Sequence, residues 1–277
     1  MAVGLTLLAM SPAAMGAGPL GGREATVSEV VAEGQYSGVS GAFVAVVRDA
    51  GTYAALRGVV GELPKRSAEF FESNAIVAAF LGMRPTKGYG VMVSSLAGGV
   101  LRISEATPSG GAKSPGVPPS PFKVVSVQMN DGANLDLEVD DAWKAMRPYR
   151  VSEGEFASRG GIVGRTETFR LEGDVRLARL RNLVTFAFDL KSAGPNRSRR
   201  LRSFATGIAD SSGGFRVLRL QGGGLVGWPN GGLRATGRLT NSNRLALSFE
   251  PLPSDVSDGF EGRGKLEAVA VGAADHG

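Results

Sequence analysis

From residue 160 onward the sequence is a succession of short alternating segments punctuated by glycine, and this constrains the fold more than anything else in it. "TETFRLEG", "NLVTFAFDL", "LRSFATGIAD", "GFRVLRLQG", "GGLRATGRLT", "RLALSFEPL" and "GRGKLEAVAV" follow one another. Their spacing, roughly 12 to 18 residues, is that of strands joined by tight turns. "TFAFDL" and "FRVLRLQ" alternate apolar and polar residues, the mark of a strand with one buried and one wet face. Ser212-Gly213-Gly214 and Asn230-Gly231-Gly232 read as hairpin turns. Seven or eight such strands predict an antiparallel barrel or sandwich over residues 160–272. The chain holds 41 glycines in 277 residues. That composition suits turns between strands, because glycine weakens a helix interior by about 1 kcal/mol relative to alanine.

The first half predicts a second β-rich domain over residues 25–130, with one short helix. "AFVAVVRDA" reads as a strand. "AGTYAALRGVV" places Tyr53, Leu56 and Val60 at helical spacing behind Asp49, a suitable N-cap. "SNAIVAAFLG", "YGVMVSSL", "GVLRISEA" and "PFKVVSVQM" read as strands, the last with Phe122, Val124 and Ser126 on one face, and Ala97-Gly98-Gly99 as a turn. Residues 25–34 read as a polar lead-in. "TPSGGAKSPGVPPSP" cannot be a central strand, because proline lacks the ladder N–H; it predicts a mobile loop or a covering flap. Residues 131–159 read as a linker, with a short helix over 140–147. The fold class expected is therefore mainly β, with two antiparallel β domains.

Several chemistries are closed to this chain. It has no cysteine and one histidine, His276, beside the last residue. Thiol catalysis, thiolate metal sites and disulfides are excluded, and a histidine-dependent triad or zinc site would have to stand on the chain end. There is no phosphate-binding loop, EF-hand or H-E-x-x-H motif. Glu153 with Glu155, or Asp140 with Asp141, offer carboxylates but no sequence-visible reason for one to hold a proton at neutral pH. Asp258 and Glu261 lack the dense spacing of a calcium loop. The expectation is a protein that is not an enzyme, with no catalytic residues, no cofactor and no metal.

The net charge of +5 is mild. Arg197, Arg199, Arg200 and Arg202 in "NRSRRLR" read as a solvated loop, the other reading being a site for an anionic partner; without interleaved aromatics, nucleic acid is not expected as a partner. Trp228 among glycines reads as a barrel plug or as an exposed platform. The apolar segment from Val3 to Met10 is shorter than the roughly 20 residues a bilayer needs. With the small residues after it, residues 1–22 resemble a secretory signal peptide without its positive first region. The other reading of this segment is a start assigned upstream of the true one. A secreted or periplasmic location is expected, and no transmembrane segment.

One turn is unusually specific. In "FLGMRPTKGYGVMVSSL" an apolar run ends at Gly82 and resumes after Tyr89. Pro85 fixes its own φ and biases Arg84 toward extended geometry. Gly88 permits positive φ. Thr86 can bond the turn backbone. Tyr89 can pack across the sheet and cap a carbonyl through its hydroxyl. On these residues alone the segment is a rigid hairpin turn.

The stretch from Tyr36 to Met129, under half the chain, resembles the PrcB C-terminal domain family. Members carry an apolar strand, G-x-[RK]-P-T-G-G-Y, and another strand. Gly82, Arg84, Pro85, Thr86, Gly88 and Tyr89 match; Lys87 departs, standing where the family has glycine, and adds a charge at the tip. The resemblance implies a secreted bacterial β-rich domain without catalytic residues, whose namesake associates with and stabilises an extracellular protease. The turn is also similar to the loop that chagasin-like inhibitors present to cysteine proteases. Either likeness makes Arg84, Thr86, Lys87 and Tyr89 a partner-binding set supported by Gly82, Pro85 and Gly88. A protein partner, a secreted protease stabilised or inhibited, is the first expectation. The alternative is a barrel that holds a lipid or another apolar small molecule.

Overall fold

The computed structural model describes residues 25–96, 99–110, 116–129, 135–160, 165–193, 198–221, 232–240, 243–251 and 261–272. The protein is mainly β, with a two-sheet N-terminal module and a closed eight-stranded antiparallel barrel after it.

The N-terminal module is built around a four-stranded sheet in the order β1 (Ala25–Gly34), β6 (Phe122–Met129), β3 (Asn74–Phe80), β2 (Phe43–Val47). β2, β3 and β6 are near-continuous apolar runs because both faces of the sheet are covered. One face, carrying Val44, Val46, Val77, Leu81, Val125 and Val127, packs on Leu101, Ile103 and Trp143. These come from or adjoin a three-stranded sheet ordered β4 (Gly90–Ser95), β5 (Val100–Ala106), β7 (Asp136–Val139). The Trp143 indole N–H donates to the Phe80 carbonyl (2.9 Å), so the ring is satisfied as well as buried. The other face, with Phe43, Ile76, Phe80 and Val124, is covered by Tyr53, Leu56 and Val59 of helix α1 (Ala50–Val59). Asp49 caps that helix as its sequence predicts, accepting from the Thr52 amide at 2.7 Å.

Four local expectations change. Residues 25–34 are not a lead-in but edge strand β1, paired with β6 through two bulges. Glu29 and Glu33 hid it, and charges on an edge strand are how sheets discourage unwanted pairing. A second, one-turn helix, α2 (Phe70–Ser73), follows α1. The segment read as a linker carries β7, a 3-10 turn over Asp141–Trp143, and strand β8 (Arg147–Gly160). β7 pairs in parallel, against β5, where only antiparallel pairing was expected.

The barrel closes in chain order: β8, β9 (Arg165–Leu180), β10 (Leu183–Ala193), β11 (Ser198–Ala209), β12 (Gly214–Gln221), β13 (Gly232–Thr240), β14 (Arg244–Pro251) and β15 (Glu261–Ala270), which pairs back onto β8. An eight-stranded barrel is just wide enough for side chains to fill it. Here Tyr149, Phe156, Phe186, Phe188, Phe215 and Phe249 pack its inside. Gly237 and Gly264 let rings approach: a Cβ on either would lie under 3 Å from Phe215 or Phe156. The Ser212-Gly213-Gly214 turn forms as predicted, with Gly213 at φ +83° and Asp210 accepting from Ser212 and Gly214 amides. The β9–β10 turn, Arg181-Asn182, carries no glycine, and Arg181 adopts φ +55°.

The outer wall of β9–β11 is buried in its turn beneath the N-terminal module. Ala178, Leu180 and Leu183 join the core around α1, and Phe204 packs against the core between the two sheets. Thr206 Oγ1 accepts from the Val46 amide of edge strand β2 (2.8 Å) and pairs with Thr185 Oγ1 (2.8 Å), all of it buried. The Arg181 guanidinium donates to the Gly58 carbonyl at the end of α1 (2.6 Å), where a cation opposes the helix dipole favourably.

Candidate functional site

The turn of residues 82–89 joins two different sheets. It carries the chain from β3 in the four-stranded sheet to β4 in the three-stranded one, so it is not a hairpin. Tertiary contacts, rather than a ladder partner, hold it. The Leu81 amide donates to the Pro121 carbonyl, Met83 to Ser40, and Arg84 to Pro119, at 2.8 to 3.0 Å. Ser37 and Ser120 knit the two neighbouring loops: the Ser37 amide donates to the Ser120 carbonyl and the Ser120 amide to the Gln35 carbonyl. Ser120 Oγ accepts from Gly38. Part of the Pro- and Gly-rich segment is thereby pinned as a wall of the turn; residues 111–115 lie outside the described residues.

Two glycines of the motif are geometric requirements. Gly82 is at φ +77°, and a Cβ there would lie 2.7 Å from the Gly41 backbone carbon. Gly88 is at φ +95°, with a Cβ meeting that of Pro108 at 2.8 Å. Only glycine supplies both the conformation and the space.

The side chains of the motif divide. Arg84 is a scaffold residue. Its Nε and Nη2 reach both carboxylate oxygens of Glu105 at 2.8 and 3.2 Å, and its guanidinium lies 5.8 Å from the Tyr89 ring centre. This forked pairing holds the turn against β5. Tyr89 packs against the core between the sheets, while its carbonyl accepts from Gln35 Nε2 at 3.1 Å. Its hydroxyl makes no hydrogen bond among the described residues, and neither does Thr86, so the two bonds that the sequence suggested are not made. Pro85 and Lys87 are exposed. Lys87 makes no ion pair among the described residues, which leaves its ammonium available.

Three further residues of this cap went unread in the sequence. Tyr36, Met83 and Val117 are 53%, 54% and 67% exposed, and all three lie on the loops just described. The hydrogen-bonded frame of these loops fixes the backbone from which the three side chains project into solvent. Nothing in the local sequence marks them; their proximity comes from the contacts of Ser37, Ser40, Pro119 and Ser120. Beside the cap, a cleft of about 380 Å3 opens between the Glu33–Gln35 end of β1, Gly90 and Val91 of β4, and Pro121 and Phe122.

Of the other sequence candidates, Glu153 and Glu155 lie on barrel strand β8, while Asp140 and Asp141 open the 3-10 turn, where the Asp140 carboxylate accepts from the amide of Glu105, the partner of Arg84, at 3.1 Å. Among the described residues no three acidic or histidine side chains converge as a metal site would require. Asp141 is held below the usual carboxylate range by Lys144. Trp228, His276, Asp258, Arg197 and residues 1–22 lie outside the described residues. The basic stretch is not the loop its sequence suggested: Arg199, Arg200 and Arg202 lie on strand β11, paired with β10, and the Arg202 Nε is 4.0 Å from Asp189. Among the described residues no helix is long and apolar enough to cross a membrane.

Fold and cap together define a two-module β protein with a presented loop surface. No family model and no curated protein matches the chain.

Proposed function

We propose that this is an exported, non-catalytic protein-interaction protein whose loop cap docks onto another protein. A secreted protease, stabilised or inhibited by the contact, is the partner class that the resemblance to the PrcB C-terminal domain family suggests. The observation that carries the reading is the cap itself. Tyr36, Met83, Val117 and Lys87 stand in solvent on loops that backbone hydrogen bonds and the Arg84–Glu105 pair fix in place. Preformed loops lose little conformational entropy on binding, so the exposed apolar area converts efficiently into affinity. The packed aromatic interior of the barrel is the reason to prefer this reading to a barrel that stores an apolar ligand.

The test is a set of secreted serine and cysteine proteases, assayed for residual activity after heating and for initial rate, with and without the protein. Met83→Ala and Lys87→Ala should keep the parent's melting temperature. Together they should weaken the effect on the responding protease by about 2 kcal/mol, the scale of a contact hot spot. A double variant as effective as the parent removes the cap from the interface.

A further inference from the structure

The two halves of the chain differ in the kind of charge they carry. Residues 25–146 hold five arginines, five lysines and twelve carboxylates, a net of −2. Residues 147–277 hold eighteen arginines, two lysines and thirteen carboxylates, a net of +7. The first half serves as an internal control: arginine does not dominate there, so the excess belongs to the barrel. Arginine differs from lysine in presenting a planar fork that meets carboxylate, sulfate and phosphate groups two bonds at a time.

Many of the described barrel arginines are spent within the fold. Arg150 pairs with Asp174, Arg170 with Glu172, and Arg234 with Glu250. Arg181 donates to the end of α1. Arg216, Arg238 and Arg244 differ. All three are exposed, and none makes an ion pair among the described residues. Arg238 has the Asp210 carboxylate in electrostatic reach, which already accepts from Ser212 and Gly214, and Glu267, opposite Ala246 on β15, is the diagonal neighbour of Arg244.

The barrel register sets these three in a line. On β12, Arg216 alternates with inward Phe215 and Val217, so it points out. It sits opposite Thr236, while Arg238, two residues further on, sits opposite Gly214. Arg238 in turn faces Ala246, while Arg244 faces Thr240. Each arginine is thus the diagonal neighbour of the next, about 7–8 Å away, across three successive strands. Thr236, Thr240 and Ala246 between them are too small to screen the guanidinium groups. In ring order, β13 and β14 stand opposite β9 and β10, so the line faces away from the N-terminal module.

We infer that this wall of the barrel binds a linear acidic polysaccharide, with Arg216, Arg238 and Arg244 meeting successive carboxylate or sulfate groups. The surroundings select this partner class. Past residue 146, Val271 is the one large apolar side chain exposed among those whose side chains are described, so no described group beside the three arginines would insert into a membrane. The described wall has no exposed aromatic ring on which single-stranded bases would stack. The wall is convex, and a stiff duplex touches a convex surface at few phosphates, whereas a thin flexible chain can follow the diagonal. The inference does not depend on the loop cap or on its partner.

The experiment uses the full chain and heparin as the sulfated-glycan probe. Affinity is measured by titration across a salt series for the parent, for the triple variant Arg216→Gln/Arg238→Gln/Arg244→Gln, and for an equally charged control, Arg150→Gln/Arg170→Gln/Arg179→Gln. Melting curves confirm that each folds. The first triple variant should lose at least about tenfold in affinity, and its log–log salt slope should fall by about two to three, one ion contact per arginine. The control should stay within about threefold of the parent, since surface ion pairs contribute little. Equal losses in both variants would reduce the effect to net charge and overturn the site. Absence of heparin binding by the parent would do the same. Tighter binding of a DNA duplex of equal charge, lost in the first triple variant, would overturn the choice of partner.

Discussion

At the level of single residues, the loop cap separates scaffold from display. Gly82, Gly88 and Arg84 build the turn, whereas Lys87, Met83, Tyr36 and Val117 face solvent. The two groups should respond oppositely to substitution. Gly82→Ala forces a Cβ against the Gly41 backbone at a positive φ, where no flexible side chain can yield. It should cost about 1–3 kcal/mol, read as a fall in the denaturation midpoint. An alanine at that position with unchanged stability would show that the turn is not rigid. The motif glycines were legible in the sequence because glycine marks positions that forbid a side chain. The display residues were not: a methionine or a valine beside proline carries no sign of whether it ends up in the core or in solvent.

Among the elements, strands were easier to recognise than their neighbours. The alternation in "TFAFDL" located β10 and its inward Phe186 and Phe188. It did not show that the outward residues of the same strand, Leu183 and Thr185, are buried too, because another module covers them. The threonine pair at that contact makes this testable. Thr206→Val keeps the shape and removes the acceptor for the Val46 amide and the partner of Thr185. Leaving buried polar groups unpaired should lower stability by about 1–3 kcal/mol, measured by denaturant unfolding. The change Thr185→Val/Thr206→Val should recover part of that loss, since it leaves fewer groups orphaned. The edge strand β1 was missed for the opposite reason: Glu29 and Glu33 made it look like a loop, although charge is how an exposed edge avoids unwanted partners.

For the molecule as a whole, the two modules meet through buried carbon and through charge. Asp136 on β7 has its pKa pushed up by burial and by Asp189, against the pull of the Leu137 amide and of Arg202. Burial is the largest cause. A raised carboxyl pKa means that the native state favours the protonated form, so the stability it contributes is fully present below the unfolded-state pKa and is lost as pH rises through the folded-state value. Asp136→Asn cannot ionise and keeps an oxygen for the Leu137 amide. The variant should therefore gain stability over the parent as pH rises from about 3 to 7, the two converging at the acid end. A pH-independent difference between them would place the carboxylate outside the buried seam.

The sequence alone determined what is local: the strand periods, the capped helix behind Asp49, the turns that demand glycine, and the exclusion of thiol chemistry. Each depends on a residue's own backbone preference or on neighbours a few positions away. The tertiary structure alone decided what meets across distance: Arg84 with Glu105, Val46 with Thr206, the loops that gather Tyr36, Met83 and Val117, and the diagonal of arginines on the barrel wall. Those meetings depend on register and closure, and one residue of slip would send every side chain of a strand to the other face.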